Sequence, residues 1–270
     1  MNYAVIGAGK MGGALVRGML ASGLATGDRV TISAKTRESA EKTASTLGVK
    51  SADSNSEALR NAEVVFLCVK PAQATAVLAS VAAELEGKLL ISIVAGIRSE
   101  ELYQAACGRA RIIRSMPNTA VRLRKGITAL APHPSSTEED LEMASAIFSS
   151  VGSALVVRES DLDTVTAVSG SGPAFALLML EAMMQGGIDG GLEPEIAKTL
   201  ASGALAAAAA LVHETGETPL ALRAEITSPA GTTAAGLDVL EKEGFPGIVR
   251  SSIRAARNRS IELSATPKDK

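Results

Sequence analysis

The sequence predicts an α/β protein in two parts, and three observations carry that reading. Short β-branched runs alternate with helical patterns as far as about Val157, several of those runs are almost continuously apolar, and after Arg158 they stop. Alternation of this kind is the signature of a parallel sheet with crossover helices. Runs such as Leu89-Leu90-Ile91-Ser92-Ile93-Val94 lack the polar alternation of a half-exposed strand, so their sheet is expected to be covered on both faces.

Taken in order, the expected strands are Tyr3 to Gly7, Arg29 to Ser33, Glu63 to Val69, Lys88 to Val94, Arg111 to Ser115, Gly126 to Ala131 and Ala154 to Val157. Helical patterns fill Met11 to Ala21, Thr36 to Leu47, Ala72 to Glu84 and Glu138 to Ser150. The layout is Rossmann-like: residues 1–158 form an N-terminal dinucleotide-binding domain. Residues 159–265 read as an all-α C-terminal domain with helices over Asp161 to Gly187, Glu193 to Glu214, Pro219 to Ile226, Gly231 to Glu243 and Pro246 to Leu263. Residues 266–270 read as a polar tail. A helical half this rich in small apolar residues is thin for a closed core of its own, so a homodimer with interleaved helices is expected.

Composition excludes several function classes. Apolar residues make up 46% of the chain and charged residues 21%, with a formal net charge of -2. Those values describe a well-cored soluble domain, with no basic surplus for nucleic acid. Cys68 and Cys107 form no CxxC pair, so neither a zinc site nor a disulfide framework is expected, and a reducing, cytoplasmic setting follows. The N-terminus enters Tyr3-Ala4-Val5-Ile6 without a secretory pattern. The longest apolar tract, Ala204 to Val212, falls short of the about 20 residues that span a bilayer, so no membrane partner is expected.

The first chemical signal is Gly7-Ala8-Gly9-Lys10-Met11-Gly12, a GxGxxG pattern directly after a strand and at the mouth of a helix. That position separates it from an ordinary glycine turn. Gly7 permits the tight turn, Gly9 lets backbone approach a pyrophosphate, and Gly12 lets helix and strand touch, while the amides that open the helix at Lys10 and Met11 face the anion. An Asp or Glu at the end of the second strand would select NADH by binding a ribose 2'-hydroxyl and repelling a 2'-phosphate. The chain has Ser33-Ala34-Lys35-Thr36-Arg37 there instead. Hydroxyls and two cations suit the 2'-phosphate, so NADPH is expected, with NADH as a weaker substitute.

Three further segments carry chemistry. Val69-Lys70-Pro71 and Met116-Pro117-Asn118-Thr119 follow expected strands, which puts Lys70 and Asn118 where a nicotinamide cleft lies in an open α/β sheet. A proline turn and an Asn-mediated turn would give the same residues a structural role. The third, Thr227-Ser228-Pro229-Ala230-Gly231-Thr232-Thr233, opens a helix. Amides of Gly231, Thr232 and Thr233 there suit a carboxylate, and an ordinary capped helix start reads the same way. His133 and His213 fall in no such segment; a surface loop and a helix C-terminus account for them.

With these motifs the chain resembles the pyrroline-5-carboxylate reductases. The resemblance rests on the loop at 7–12, Cys-Val-Lys-Pro at 68–71, Met-Pro-Asn-Thr at 116–119, Ser-Gly-Ser-Gly-Pro-Ala-Phe at 169–175 and Thr-Ser-Pro-Ala-Gly-Thr-Thr at 227–233. It implies an NADPH-binding domain, a helical dimerisation domain, often a ring of dimers, and reduction of 1-pyrroline-5-carboxylate to L-proline. It further implies that Asn55 contacts the adenosine ribose, that Ser33 and its neighbours meet the 2'-phosphate, that Lys70, Ala95 and Asn118 border the nicotinamide, and that Ser228, Gly231, Thr232 and Thr233 hold the substrate. Thr233 is the expected partner of the ring nitrogen. Ser169 to Pro173 matches the family's break within a long helix.

The chain departs from the family at Ala120, where a second proline is usual, and at Ala230, where the first of two glycines is common. Leu222-Arg223-Ala224-Glu225 replaces a more usual Leu-Lys-Asp stretch. A reductase of another cyclic imine, a β-hydroxyacid dehydrogenase-like enzyme and a noncatalytic NADPH-binding protein are the rival readings. The second needs a catalytic Lys, for which the helical half offers no suitable motif.

Overall fold

The computed structural model describes residues 1–265; the expected polar tail at 266–270 lies outside them. By compactness the chain divides into two units. The first holds Met1–Gly170 together with residues 256–265, and the second holds Ser171–Ala255. The change of composition after Arg158 falls just beyond the last strand.

In the first unit the elements run β1 (Tyr3–Ile6), α1 (Lys10–Ala21), β2 (Val30–Ser33), α2 (Arg37–Leu47), β3 (Lys50–Ser51), α3 (Asn55–Leu59), β4 (Val64–Leu67) and α4 (Pro71–Ser80). They continue through β5 (Leu89–Ser92), α5 (Ser99–Ala105), β6 (Arg111–Pro117), β7 (Gly126–Pro132), α6 (Glu138–Ser149), β8 (Gly152–Val156) and α7 (Leu162–Val165). The eight strands form one sheet in the order β3-β2-β1-β4-β5-β6-β7-β8. The order reverses between β1 and β4, the switch point beyond which ligands bind in such sheets.

Both faces of the sheet are covered, as the apolar runs predict. Neighbouring residues of one strand enter opposite cores: Val5, Phe66, Ile91 and Ile113 pack with Leu15, Met19 and Phe148 on one face. Ala4, Val65, Leu90 and Ile112 pack with Leu59, Leu78 and Leu102 on the other. Phe66 is fully buried between Tyr3 and Phe148, and truncating such a residue to Ala costs about 3–5 kcal/mol.

The structure corrects the expected layout in several places. The sheet is mixed: β6 and β7 pair antiparallel, while β7 and β8 are parallel. A parallel crossover needs a dozen or more residues, and the link from Asn118 to Lys125 is too short for one. β6 runs on to Pro117, so Met116 and Pro117 belong to a strand. The expected list also lacks β3, α3 and α5.

The second unit carries α8 (Gly172–Asp189), α9 (Pro194–Thr215), α10 (Pro219–Glu225), α11 (Thr232–Lys242) and the first half of α12 (Phe245–Ala265). The long helical run is broken where expected: Thr166–Gly170 is a π-helical turn, and α8 restarts with Pro173 in its first turn. Only Ala197, Ala201 and Leu222 of this unit are buried among the described residues. Leu177 and Leu178 are 63% and 67% exposed, and Ile196, Leu200 and Leu220 are also exposed. Contrary to the expectation from the longest unbroken apolar tract, two helical stretches, Glu159–Asp189 and Pro194–Thr215, are long and apolar enough to cross a membrane by length and composition. Scattered small polar residues interrupt the tracts in sequence without making the helices polar.

Candidate functional site

The glycine loop is fixed by the end of β2. The carbonyl of Ser33 accepts from the amides of Gly7 and Ala8 at 3.0 and 3.1 Å. Gly7 has φ of +91°, and a Cβ there would stand 2.8 Å from Val69 Cγ1. At Gly12 a Cβ would meet the carbonyl oxygen of Gly7 at 2.8 Å and Cys68 Cβ at 3.1 Å, so only glycine lets α1 lie this close to β4. Gly9 differs, because a Cβ there meets nothing within 4 Å. That open space lies at the N-cap of α1, where no side chain caps the amides of Lys10, Met11 and Gly12. An uncapped helix start beside a bare backbone is an anion site, and it fits a pyrophosphate.

Around this loop lies a cleft of about 620 Å³ lined by Gly7, Gly9, Lys35, Asn55, Val69 and Lys70 among others. A second cleft of about 610 Å³ opens at the opposite edge of the sheet, by Asn2, Arg29 and Asn61. It contains none of the motif residues and lies away from the switch point, so the first cleft is the one the chemistry favours. Ser33 sits buried beneath the first cleft and donates its hydroxyl proton to Asn55 Oδ1 at 2.7 Å. With that oxygen engaged, the Asn55 amide nitrogen is the donor left for a ligand.

Two cations expected to share one role separate here. Lys35 lines the cleft and makes no ion pair among the described residues. Arg37 turns to Glu41 Oε1 at 2.8 Å and Asp53 Oδ2 at 3.1 Å, and it does not line the cleft. Ser39, one turn into α2, lines the cleft without having been expected there; Gln73, Ala76 and Val77 do the same from α4. They lie inside helices, where no loop motif marks them.

The remaining expected residues stand at the same carboxyl edge of the sheet. Lys70 is the N-cap of α4, with Pro71 at its first position. Ala95 is exposed just beyond β5. Asn118 follows β6, and its Oδ1 accepts from the amides of Ala120 and Ile127 at 3.2 and 3.4 Å. The Asn-mediated turn is thus real, which leaves only the side-chain nitrogen for a cofactor. Cys68 lines the cleft, and burial pushes its thiol well above the usual range, so it is no thiolate nucleophile.

The loop before α11 belongs to the second unit. Gly231 N donates to Ser228 O at 3.1 Å, closing a turn in which Ala230 has φ of +56°. A proline at the second position and a left-handed third residue are the features of a type II turn, which normally takes glycine there. A Cβ at Gly231 would strike Ser228 Oγ. Gly231 is the N-cap of α11, no side chain caps it, and Ser228, Thr232 and Thr233 are exposed beside the free amides of the first turn. The opening therefore lacks the side-chain cap that would make it an ordinary helix start.

Neither histidine joins these sites. His133 is buried, not on a surface loop as expected: Nδ1 lies 2.9 Å from Ser135 Oγ, Nε2 3.1 Å from Glu100 Oε2, and the ring packs on Tyr103. His213 is exposed in the last turn of α9. Among the described residues no group of His, Cys, Asp and Glu could hold a metal ion.

A Rossmann sheet with an uncapped, glycine-opened helix at its switch point defines a dinucleotide-binding protein. Residues 2–96 accordingly match the family model described as NADP oxidoreductase coenzyme F420-dependent. Residues 159–263 match the model for pyrroline-5-carboxylate reductase dimerisation. The chain is 36% identical over 266 residues to the pyrroline-5-carboxylate reductase of Corynebacterium melassecola, covering 97% of this chain and 98% of the relative. It is 38% identical over 263 residues to that of Synechocystis, with 97% and 98% covered. A pyrroline-5-carboxylate reductase structure from Coxiella burnetii is similar with a TM-score of 0.91 and 31% identity, covering 98% of this chain and 99% of that one. The Plasmodium falciparum pyrroline carboxylate reductase with NADP bound superposes with a TM-score of 0.88 at 28% identity, covering 98% of each. The chain belongs to the pyrroline-5-carboxylate reductase family.

Proposed function

We propose that this protein reduces the cyclic imine 1-pyrroline-5-carboxylate to L-proline with NADPH. One observation carries the reading: a chain that matches these reductases end to end has two helices that open on a glycine N-cap with no side-chain cap, α1 at Gly9 and α11 at Gly231. Each suits an anion, the first a pyrophosphate and the second a carboxylate.

NADPH, when bound, supplies the hydride from its nicotinamide C4 to the imine carbon. The chain's share is binding and orientation. Lys35 and Ser39 meet the 2'-phosphate; Ser33, expected beside them, is buried with its hydroxyl committed to Asn55, so its part is to orient Asn55, which donates to the adenosine ribose. Gly7, Gly9 and the amides of Lys10, Met11 and Gly12 take the pyrophosphate. Val69, Lys70, Pro71, Ala95 and Asn118 border the nicotinamide. Arg37, already paired twice, adds only to the local field. Ser228 and Thr232, with the free amides that follow Gly231, hold the carboxylate; the amide of Gly231 itself, expected to share in this, is spent on Ser228 O and shapes the turn instead. The Thr233 hydroxyl orients the ring nitrogen. A hydroxyl is too weak an acid to protonate that nitrogen itself, so the protonated imine binds directly or solvent provides the proton.

In this reading 1–158 is the cofactor domain and 159–265 the substrate and dimerisation domain. The exposed apolar side chains of α8, α9 and α10 are covered by a second copy, and dimers assemble further into a ring. Covering those faces with protein rather than lipid fits a soluble, cytoplasmic enzyme.

The test follows NADPH and NADH oxidation with 1-pyrroline-5-carboxylate, a six-membered cyclic imine and 2-keto acids. Fastest turnover is expected with 1-pyrroline-5-carboxylate and NADPH. No turnover with any of them, alongside normal NADPH binding, would make this a binding protein. Thr233→Ala is expected to lower kcat/KM by about tenfold, and an unchanged value removes Thr233 from its role. A stable monomer in size-exclusion chromatography refutes the dimer.

A further inference from the structure

The loop from Ile93 to Arg98 joins β5 to α5 and carries Ala95. It lies beyond the carboxyl end of a strand adjacent to β4, on the far side of the switch point from the β2 edge where the adenosine end belongs. What holds this loop comes from two distant parts of the chain, near residue 159 and near residue 263. At its far end Ser99 is buried, its amide donates to Glu159 Oε1 at 2.6 Å, and its hydroxyl donates to Glu159 Oε2 at 2.7 Å. Arg114, on β6 and nearly buried, donates to the same Oε1 at 2.8 Å. Burial acts to raise the Glu159 carboxyl, but the bonds from Arg114 and Ser99 outweigh it and hold it below the usual glutamate range.

The last turn of α12 meets the same loop. Gly96, at φ of +74°, would bring a Cβ to 3.5 Å from the Leu263 carbonyl oxygen. That turn is itself tied down, since Ser260 Oγ donates to Asp163 Oδ1 at 2.6 Å. Glu159 and Asp163 stand four residues apart, at the start of the helical run. One carboxylate therefore fixes the end of the loop and the other fixes the helix turn that lies against its middle.

We propose that Glu159 is a positioning residue for hydride transfer: through Ser99 it holds the Ile93 to Arg98 loop in register under the nicotinamide end of the cofactor, with Asp163 and Ser260 completing the hold. This rests on the reading of the cleft given under Proposed function. Glu159 touches no cofactor atom itself. Its loss leaves the adenosine end of the cleft, built by Ser33, Lys35 and Asn55, untouched.

The experiment compares Glu159→Gln, Ser99→Ala and Ser260→Ala with the parent protein, measuring affinity for NADPH and for 2',5'-ADP, which lacks the nicotinamide half, and then kcat and KM with the imine. Glu159→Gln is expected to weaken NADPH by about tenfold and Ser99→Ala by about threefold, with 2',5'-ADP unchanged within about twofold for both. A general loss of structure weakens both ligands together, so equal losses overturn the proposal, as does no loss in either. Should Glu159→Gln fail to fold, Ser99→Ala and Ser260→Ala give the same split between ligands. The binding arm stands without turnover: if the parent protein binds NADPH but reduces no imine, the proposed reaction fails while the split still decides the role of Glu159.

Discussion

The hydroxyl of Ser33, buried at the end of β2, donates to Asn55 Oδ1 at 2.7 Å, and this bond orients the side-chain amide at the mouth of the cleft. Asn55→Asp keeps the shape and still accepts from Ser33, but it places a negative charge where a 2'-phosphate belongs. The ratio of kcat/KM for NADPH to that for NADH is expected to fall by about tenfold or more, since like charges oppose binding and a carboxylate favours ribose hydroxyls. An unchanged ratio in steady-state assays with both cofactors would put the adenosine end elsewhere.

Lys35 and Arg37 separate the two sources of positive charge. Lys35→Ala is expected to raise KM for NADPH by about tenfold while leaving NADH alone, through loss of a charge-assisted bond to phosphate. Arg37→Ala is expected to change KM for NADPH by less than about twofold, because Arg37 is committed to Glu41 and Asp53. Equal effects of the two would show that Arg37 leaves its partners when cofactor binds.

Ala230 sits in the left-handed region, where an L-residue other than glycine is strained by about 1–2 kcal/mol. Ala230→Gly removes that strain and adds about 0.5–1 kcal/mol of lost chain entropy. A net stabilisation of about 0.5 kcal/mol is expected in urea unfolding. A destabilised variant would mean that the alanine methyl makes contacts worth more than the strain.

Asp140 is buried, and Arg111 donates to both of its oxygens at 2.7 and 3.0 Å. Burial works to raise its carboxyl, yet the Arg111 bonds and the Thr137 cap prevail and depress it. A depressed folded pKa means stability fully present above the unfolded value of about 4 and lost as pH falls through the lower folded one. Asp140→Asn is expected to cost about 2 kcal/mol at pH 7. The gap to the parent should narrow in urea titrations below about pH 4, and a gap independent of pH would count against the assignment.

The sheet was legible because its strands are buried on both faces and so read as apolar runs. Its mixed sense was carried by the short link after Asn118, where length alone argues against a crossover. β3 is two exposed residues, Lys50 and Ser51, with no pattern to find. α3 is too short for periodicity, yet Ser54 and Glu57 spell a cap: Ser54 accepts from Glu57 N, and Glu57 accepts from Asp53 N. In the cleft, loop residues were visible through glycine, proline and asparagine, whereas Ser39 and Gln73 contribute from the first turns of helices. The partners of Ser99 and Arg114 lie 60 and 45 residues away in Glu159, a distance that only the folded chain closes.

The return of α12 to the first unit makes Ser171 to Ala255 an insertion rather than an appendage. Both ends of the inserted stretch are moored to one body, so cutting the chain after Gly170 does not liberate a finished dinucleotide domain. It removes the Leu263 turn from beside Gly96 and leaves Asp163 without Ser260. An autonomous N-terminal fragment therefore has to be spliced, with the Ala256 segment rejoined to Gly170, and a natural relative that lost its helical half would need a replacement for that last turn.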